Sequence, residues 1–173
     1  MPAEPTPPTR ARDPVEEAVR HWRERHPETE RFRALTSLVR AYSVAMREVE
    51  ALLRPIDLNL SRFEILLVLS FTRRGVLPIS RLKEALMIHG SSVTYLVDRL
   101  EHSGLVSREP DEGDRRVVRV RLTPQGRETI DRACEILCEA EFGAFAVLGE
   151  ERLELMSDLL NELRGEANGR SEH

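Results

Sequence analysis

The sequence predicts a mainly α-helical chain with one small β-hairpin, and three observations lead there. Apolar residues recur at three- and four-residue steps over most of the chain. Between Leu105 and Leu122 that repeat changes to the two-residue alternation of strands. Two short helical segments joined by a glycine-containing turn come immediately before the change. A helix-turn-helix followed directly by a charged hairpin is a winged helix-turn-helix, and the flanking sequence adds helices on both sides.

The bulk numbers allow this and little else. A chain of 173 residues, 40% hydrophobic and 32% charged, suits one ordinary domain with appended helices and is too balanced to be mostly disordered. Its longest apolar run, Ile65 to Leu69, is far short of the roughly 20 residues of a membrane helix. The first thirty residues lack a basic start and apolar core, so no secretory signal is expected and the chain is read as cytoplasmic. Cys134 and Cys138 stand one helical turn apart, poorly placed for a mutual disulfide.

Taken in order, residues 1–12 hold four prolines and read as a disordered arm. Asp13 and Pro14 open a helix as N-cap and first helical residue, Glu16 is expected to complete a capping box, and Pro27 ends the segment. From Phe32 through Leu35, Val39, Tyr42, Met46, Val49 and Leu53 runs one amphipathic stripe that stops at Pro55; a stripe that long calls for a partner helix. Ser61 and Glu64 read as a second capping box, and Ser80 as the cap of a shorter helix to about Met87. His89-Gly90 makes a turn, a helix runs from about Ser91 to Ser103, and Gly104 is expected in the left-handed position that closes it. The strands 105–109 and 117–122 follow, joined by a turn at Pro110 to Asp114. Thr123-Pro124 then caps a helix reaching Gly143 or Gly149, and a last helix spans about Glu150 to Leu163.

Charge is distributed unevenly. Residues 61–127 carry 12 Lys+Arg against 8 Asp+Glu, while residues 128–173 carry 4 against 12; the formal total is −4. A basic middle before an acidic tail fits a chain whose middle alone meets a polyanion. Within the second helix of the motif, Val93, Leu96, Val97 and Leu100 share one face and must be buried. The opposite face presents Ser91, Tyr95, Asp98 and His102, flanked by Ser92, Thr94 and Arg99, groups able to reach base edges and phosphates from a major groove. The hairpin adds Arg108, Arg115, Arg116, Arg119 and Arg121. An arginine at its tip is suited to the narrow minor groove, and Asp114 is expected to orient the Arg116 side chain.

Asp114-Arg115-Arg116-Val117-Val118-Arg119-Val120-Arg121-Leu122-Thr123-Pro124-Gln125-Gly126 matches a D-x-R-x-x-x-V-x-L-T-x-x-G signature, and Val97-Asp98-Arg99-Leu100-Glu101 with Gly104-Leu105-Val106 precedes it. On these residues the chain resembles the MarR family of bacterial transcription regulators over about residues 30 to 165. The resemblance implies a homodimer whose terminal helices interleave and whose two lobes meet successive major grooves of a pseudo-palindrome, about 34 Å apart. On that basis residues 13–60 and 128–165 are dimerisation helices, 61–127 the DNA-binding domain, and 166–173 a flexible tail. The apolar positions Ile130, Leu137, Phe142, Phe145, Leu148, Leu153, Met156, Leu159, Leu160 and Leu163 are a surplus that dimerisation would absorb. Many members carry arginine where this chain has Tyr95, so base preference does not transfer.

The resemblance also implies a small aromatic or phenolic effector. The helix around Trp22 is similar to that of a urate-responsive subgroup, where a tryptophan, an acid and two arginines form the pocket. Trp22, Glu64 and Arg108 fall on three of those positions. Leu96 stands on the fourth and removes a cation that an anionic ligand would meet.

Other chemistry has little to stand on. The histidines lack metal-ligand spacing, and no phosphate loop, nucleophile elbow or nucleophile–base pair is present. No metal, cofactor or enzymatic activity is expected, and the two cysteines read as small apolar groups before they read as a redox pair. The first reading is a ligand-responsive, DNA-binding repressor. The alternative is a winged-helix module that binds a protein partner and does not read DNA.

Overall fold

In the computed structural model the described residues are 13–86, 90–111, 113, 114 and 116–170, and the side chains of all of these except 90–92 and 166–170. The elements run α1 (Pro14–Arg23), α2 (Thr29–Leu53), a 3-10 turn (Arg54–Ile56), α3 (Leu60–Ser70), β1 (Val76–Pro78), α4 (Ile79–Ala85), α5 (Gly90–His102), β2 (Val106–Pro110), β3 (Val118–Leu122), α6 (Pro124–Glu139), a 3-10 turn (Gly143–Val147) and α7 (Glu150–Arg170). The chain divides into two compact units, Met1–Val44 and Ala45–His173. Among the described residues no helix is long and apolar enough to cross a membrane.

Within the first unit Asp13 caps α1, its carboxylate accepting from the Val15 amide at 2.9 Å. The expected capping box does not close, because Glu16 turns away to pair with Arg33 on α2. Trp22 stacks on Phe32 with centroids 4.2 Å apart and planes 6° from parallel, and His26 lies 4.2 Å from the same indole. The first turn of α2 begins at Thr29, ahead of the apolar stripe that announced the helix.

The second unit is built on one core. Val49 and Leu53 from the end of α2 join Phe63, Ile65, Leu66 and Leu69 of α3, Leu82 of α4, the inner face of α5, Val120 and Leu122 of β3, and Ile130, Ala133 and Leu137 of α6. Burying more than ten large aliphatic side chains contributes about 1.5–3 kcal/mol each before chain entropy is counted. The stripe on α2 therefore divides: its C-terminal third is spent in this core, whereas Leu35, Val39 and Tyr42 are exposed. Ile130 and Leu137, expected among a surplus, are likewise consumed inside the lobe.

Four local expectations are corrected. The cap of α3 is Asn59, whose side chain accepts from the Arg62 amide at 2.9 Å, so Ser61 lies inside the helix. Ser80 is not a cap either; α4 starts at Ile79 after Pro78, with no side-chain hydrogen bond at its end. The hairpin is in fact the larger part of a three-stranded antiparallel sheet of order β1-β3-β2, in which Val76 faces Arg121 and Val106 faces Leu122. Three residues ending in proline gave β1 no alternation to read. At the other end α7 continues through Arg170, past Leu163 where it was expected to stop. The expected disordered arm and the turn residue His89 lie outside the described residues.

Candidate nucleic-acid interface

The α5 helix presents the most clearly divided surface of the lobe. Val93, Val97 and Leu100 are wholly buried and Leu96 nearly so. On the other side Thr94, Tyr95, Asp98, Arg99 and His102 are exposed, and Tyr95 keeps 62% of its surface open. A large aromatic left this open beside a filled core is available to a partner. The helix ends as expected: Gly104 sits at φ +73°, the Leu105 amide donates back to the Leu100 carbonyl at 2.9 Å, and that of Gly104 to Glu101 at 2.9 Å. This reversal aims the chain into β2, which lies against α5.

Of the arginines expected on the hairpin, three already hold carboxylates. Arg108 on β2 reaches Asp98 at 2.5 Å and Glu101 at 2.6 Å on α5, and its second terminal nitrogen lies 3.4 Å from the Thr94 carbonyl. Burial pulls its guanidinium pKa down, but the two carboxylates outweigh burial and hold it above the ordinary value. Arg119 pairs with Asp111 at 3.2 Å, and Arg121 with Glu109 at 2.7 Å across the sheet. The Arg121 hydrogen bonds hold the Glu109 carboxyl below the usual range. Arg116 differs from these three: it is exposed and makes no ion pair among the described residues. Arg115 lies outside them, and so do the side chains of Ser91 and Ser92.

Asp114 does something other than expected. Its carboxylate accepts from the Arg116 backbone amide at 2.9 Å and does not hold the Arg116 side chain. Asp111 works beside it, accepting from the amides of Gly113 at 2.9 Å and Asp114 at 3.3 Å, and these backbone bonds lower its pKa. The two aspartates form the hairpin tip by local Asx turns, which leaves the side chain of Arg116 uncommitted. The rest of the signature is equally structural. Val120 and Leu122 fill the core, and Thr123 caps α6 by accepting from the Gly126 amide at 2.9 Å while donating to the Gly104 carbonyl at 2.7 Å. Gly126 lets α6 approach β2 so closely that a Cβ there would stand 2.0 Å from the Leu105 carbonyl oxygen.

The residues expected to hold an effector are placed differently from one another. Trp22 belongs to the first unit, whereas Glu64 and Arg108 belong to the second. Glu64 is half-buried on α3, makes no ion pair among the described residues, and is pushed up in pKa by burial. The Trp22 indole N–H is buried without a hydrogen-bond partner among the described residues.

Residues 58–118 match the model of the MarR family. The HTH-type transcriptional regulator PecS of Dickeya dadantii is 32% identical over 154 residues, covering 86% of this chain and 92% of the relative. The chain belongs to the MarR family. Among MarR-family structures, that of Sco5413, a transcriptional regulator from Streptomyces coelicolor, is 36% identical and superposes with a TM-score of 0.72 over 79% of this chain and 94% of the other. The HTH-type transcriptional repressor IacR of Pseudomonas putida is 30% identical, covering 71% of this chain and 72% of its own. Membership makes the protein a DNA-binding transcription regulator of winged-helix fold, with β2–β3 as the hairpin of that fold.

Proposed function

We propose that this MarR-family chain is a homodimeric repressor that reads a pseudo-palindromic operator with α5 in the major groove and the wing at its flank. The observation that carries the reading is the division of α5: a buried aliphatic face backs Thr94, Tyr95 and Arg99, whose side chains make no hydrogen bond among the described residues. Ser91, Ser92, Thr94, Tyr95 and Arg99 are assigned to base edges and phosphates, and Arg115 and Arg116 to the wing contact, with Asp114 shaping the turn that presents them. The pairing of Arg108, Arg119 and Arg121 supports giving the wing's phosphate or minor-groove contact to Arg116.

The exposed apolar residues support dimerisation. Leu35, Leu38, Val39 and Tyr42 on α2, and Leu155, Leu159 and Leu163 at one-turn steps on α7, are left open by the single chain. For the effector we propose a small aromatic or phenolic acid, the class that the family resemblance implies. Glu64, half-buried and without an ion pair among the described residues, supports that assignment as an uncommitted polar group. The reading places the protein in the cytoplasm and assigns it no catalytic step.

A salt series of binding isotherms on DNA from upstream of the chain's own coding sequence tests this. Wild type should bind specifically, and Arg116→Ala should bind more weakly with a salt slope shallower by about one per wing, since each lost cation releases one fewer counterion. An unchanged affinity and slope would remove Arg116 from the interface. Absence of any complex at low salt would favour the protein-binding module instead.

A further inference from the structure

We infer that Arg108 is a positioning residue: it joins the wing to the recognition helix and sets the angle at which α5 meets DNA, without touching DNA itself. The inference rests on the DNA-binding reading and deepens it. Arg108 stands on β2, and its guanidinium is shared between Asp98 at 2.5 Å and Glu101 at 2.6 Å, two residues nearly one turn apart on α5. The same Glu101 carboxylate also accepts from the Arg108 backbone amide at 2.9 Å. The strand is therefore tied to the helix by backbone and side chain together, from a site where the Arg108 side chain is only 25% exposed. A planar, multiply bonded guanidinium fixes direction as well as distance, which a lysine cannot do.

Two consequences follow for recognition. Asp98 lies on the exposed side of α5, where a bare carboxylate would repel phosphate, and the arginine neutralises it. More importantly, among the described residues the other polar tie between α5 and the strand that follows is the reversal at Gly104, which fixes only the end of the helix; the aliphatic face settles which side is buried, not how the wing is held to it. Arg108 holds the helix one and two turns further in, at Glu101, Asp98 and the Thr94 carbonyl. The residues held at Thr94 and Asp98 are the chain neighbours of Tyr95 and Arg99.

The test compares wild type, Arg108→Met, Arg108→Lys and the triple variant D98N/E101Q/R108M on an operator fragment and on random-sequence DNA. Positioning predicts that Arg108→Met loses about tenfold in operator affinity, a larger loss than on random-sequence DNA, where only the bared carboxylates weaken binding, with the operator salt slope unchanged. The triple variant should stay impaired, because neutral side chains remove the repulsion without restoring the joint. Recovery of wild-type affinity in the triple variant would show that Arg108 only masks charge and would overturn the inference. A salt slope shallower by about one per wing would make Arg108 a phosphate contact and overturn it equally. Should Arg108→Met fail to fold, Arg108→Lys carries the test: it keeps the charge but not the planar fork, and operator affinity equal to wild type would refute positioning. Wild type that binds no DNA at all would sink the functional reading with it, whereas binding by wild type and full activity of Arg108→Met would sink this inference alone.

Discussion

Replacing Gly126 with alanine should make the DNA-binding lobe unfold several degrees earlier. A Cβ at this position would lie 2.0 Å from the Leu105 carbonyl oxygen and 2.9 Å from a methyl of Leu122. The leucine methyl can rotate aside, but the oxygen cannot, since it belongs to the backbone and accepts from the Thr123 amide at 3.1 Å. Relief requires α6 to back away from β2, loosening that hydrogen bond and the packing of Ile130 behind it. Overpacking of this kind costs about 1–3 kcal/mol and a weakened hydrogen bond about 1 more. The better helix propensity of alanine returns at most about 1 kcal/mol, less in a first turn. The net loss is about 2–3 kcal/mol, which for a chain of this length lowers Tm by about 4–10 °C. Far-UV circular dichroism during heating, at one fixed protein concentration because an oligomer's Tm depends on it, measures the shift. Gly165, inside α7 where an added Cβ meets nothing within 4 Å, provides the control, and Gly165→Ala should leave Tm unchanged or raise it. A Gly126→Ala protein melting at or above the wild-type temperature would refute the close-approach argument.

Other perturbations separate the parts of the account. Thr123→Ala should cost about 1–2 kcal/mol in urea unfolding, through loss of the α6 cap and of the donor to Gly104, while Thr123→Ser should recover most of it. Because burial raises the Glu64 pKa, its charged form opposes folding; Glu64→Gln should therefore be the more stable protein at neutral pH, with the difference closing as the pH falls and Glu64 takes up its proton. A difference that grew on acidification would contradict that sign. Alkylation followed by peptide mass mapping should modify exposed Cys138 well before Cys134, whose thiol is half-buried and pushed up in pKa first by burial.

What the sequence revealed and what it hid divide along physical lines. The inner face of α5 was legible because four aliphatic residues at helical spacing have no other way to be buried, and the Gly104 reversal because few residues other than glycine accept that backbone conformation. Thr123 as a cap was legible from its place before a proline and a helical pattern. The wing arginines show the opposite. Their density was plain, but a list of cations does not tell which carboxylates the register brings opposite them. Glu109 meets Arg121, and Asp98 meets Arg108, only after the sheet and the helix are assembled. Asp114 misled for a related reason: proximity to Arg116 in sequence fits a side-chain pair and an Asx turn equally well. Strand β1 escaped because pairing with β3, not any pattern of its own, makes it a strand. Caps at Ser61 and Ser80 failed because each helix begins one residue before the serine, at Leu60 and at Ile79.

Sedimentation velocity on the purified chain mixed with an operator fragment measures the central claim most directly, since mass gives both the association state and the number of chains on the DNA. A symmetric reader predicts a dimer when free and two chains per operator, assembled together as a single boundary. A monomer that binds one to one, or protein and DNA that sediment independently at low salt, would contradict it.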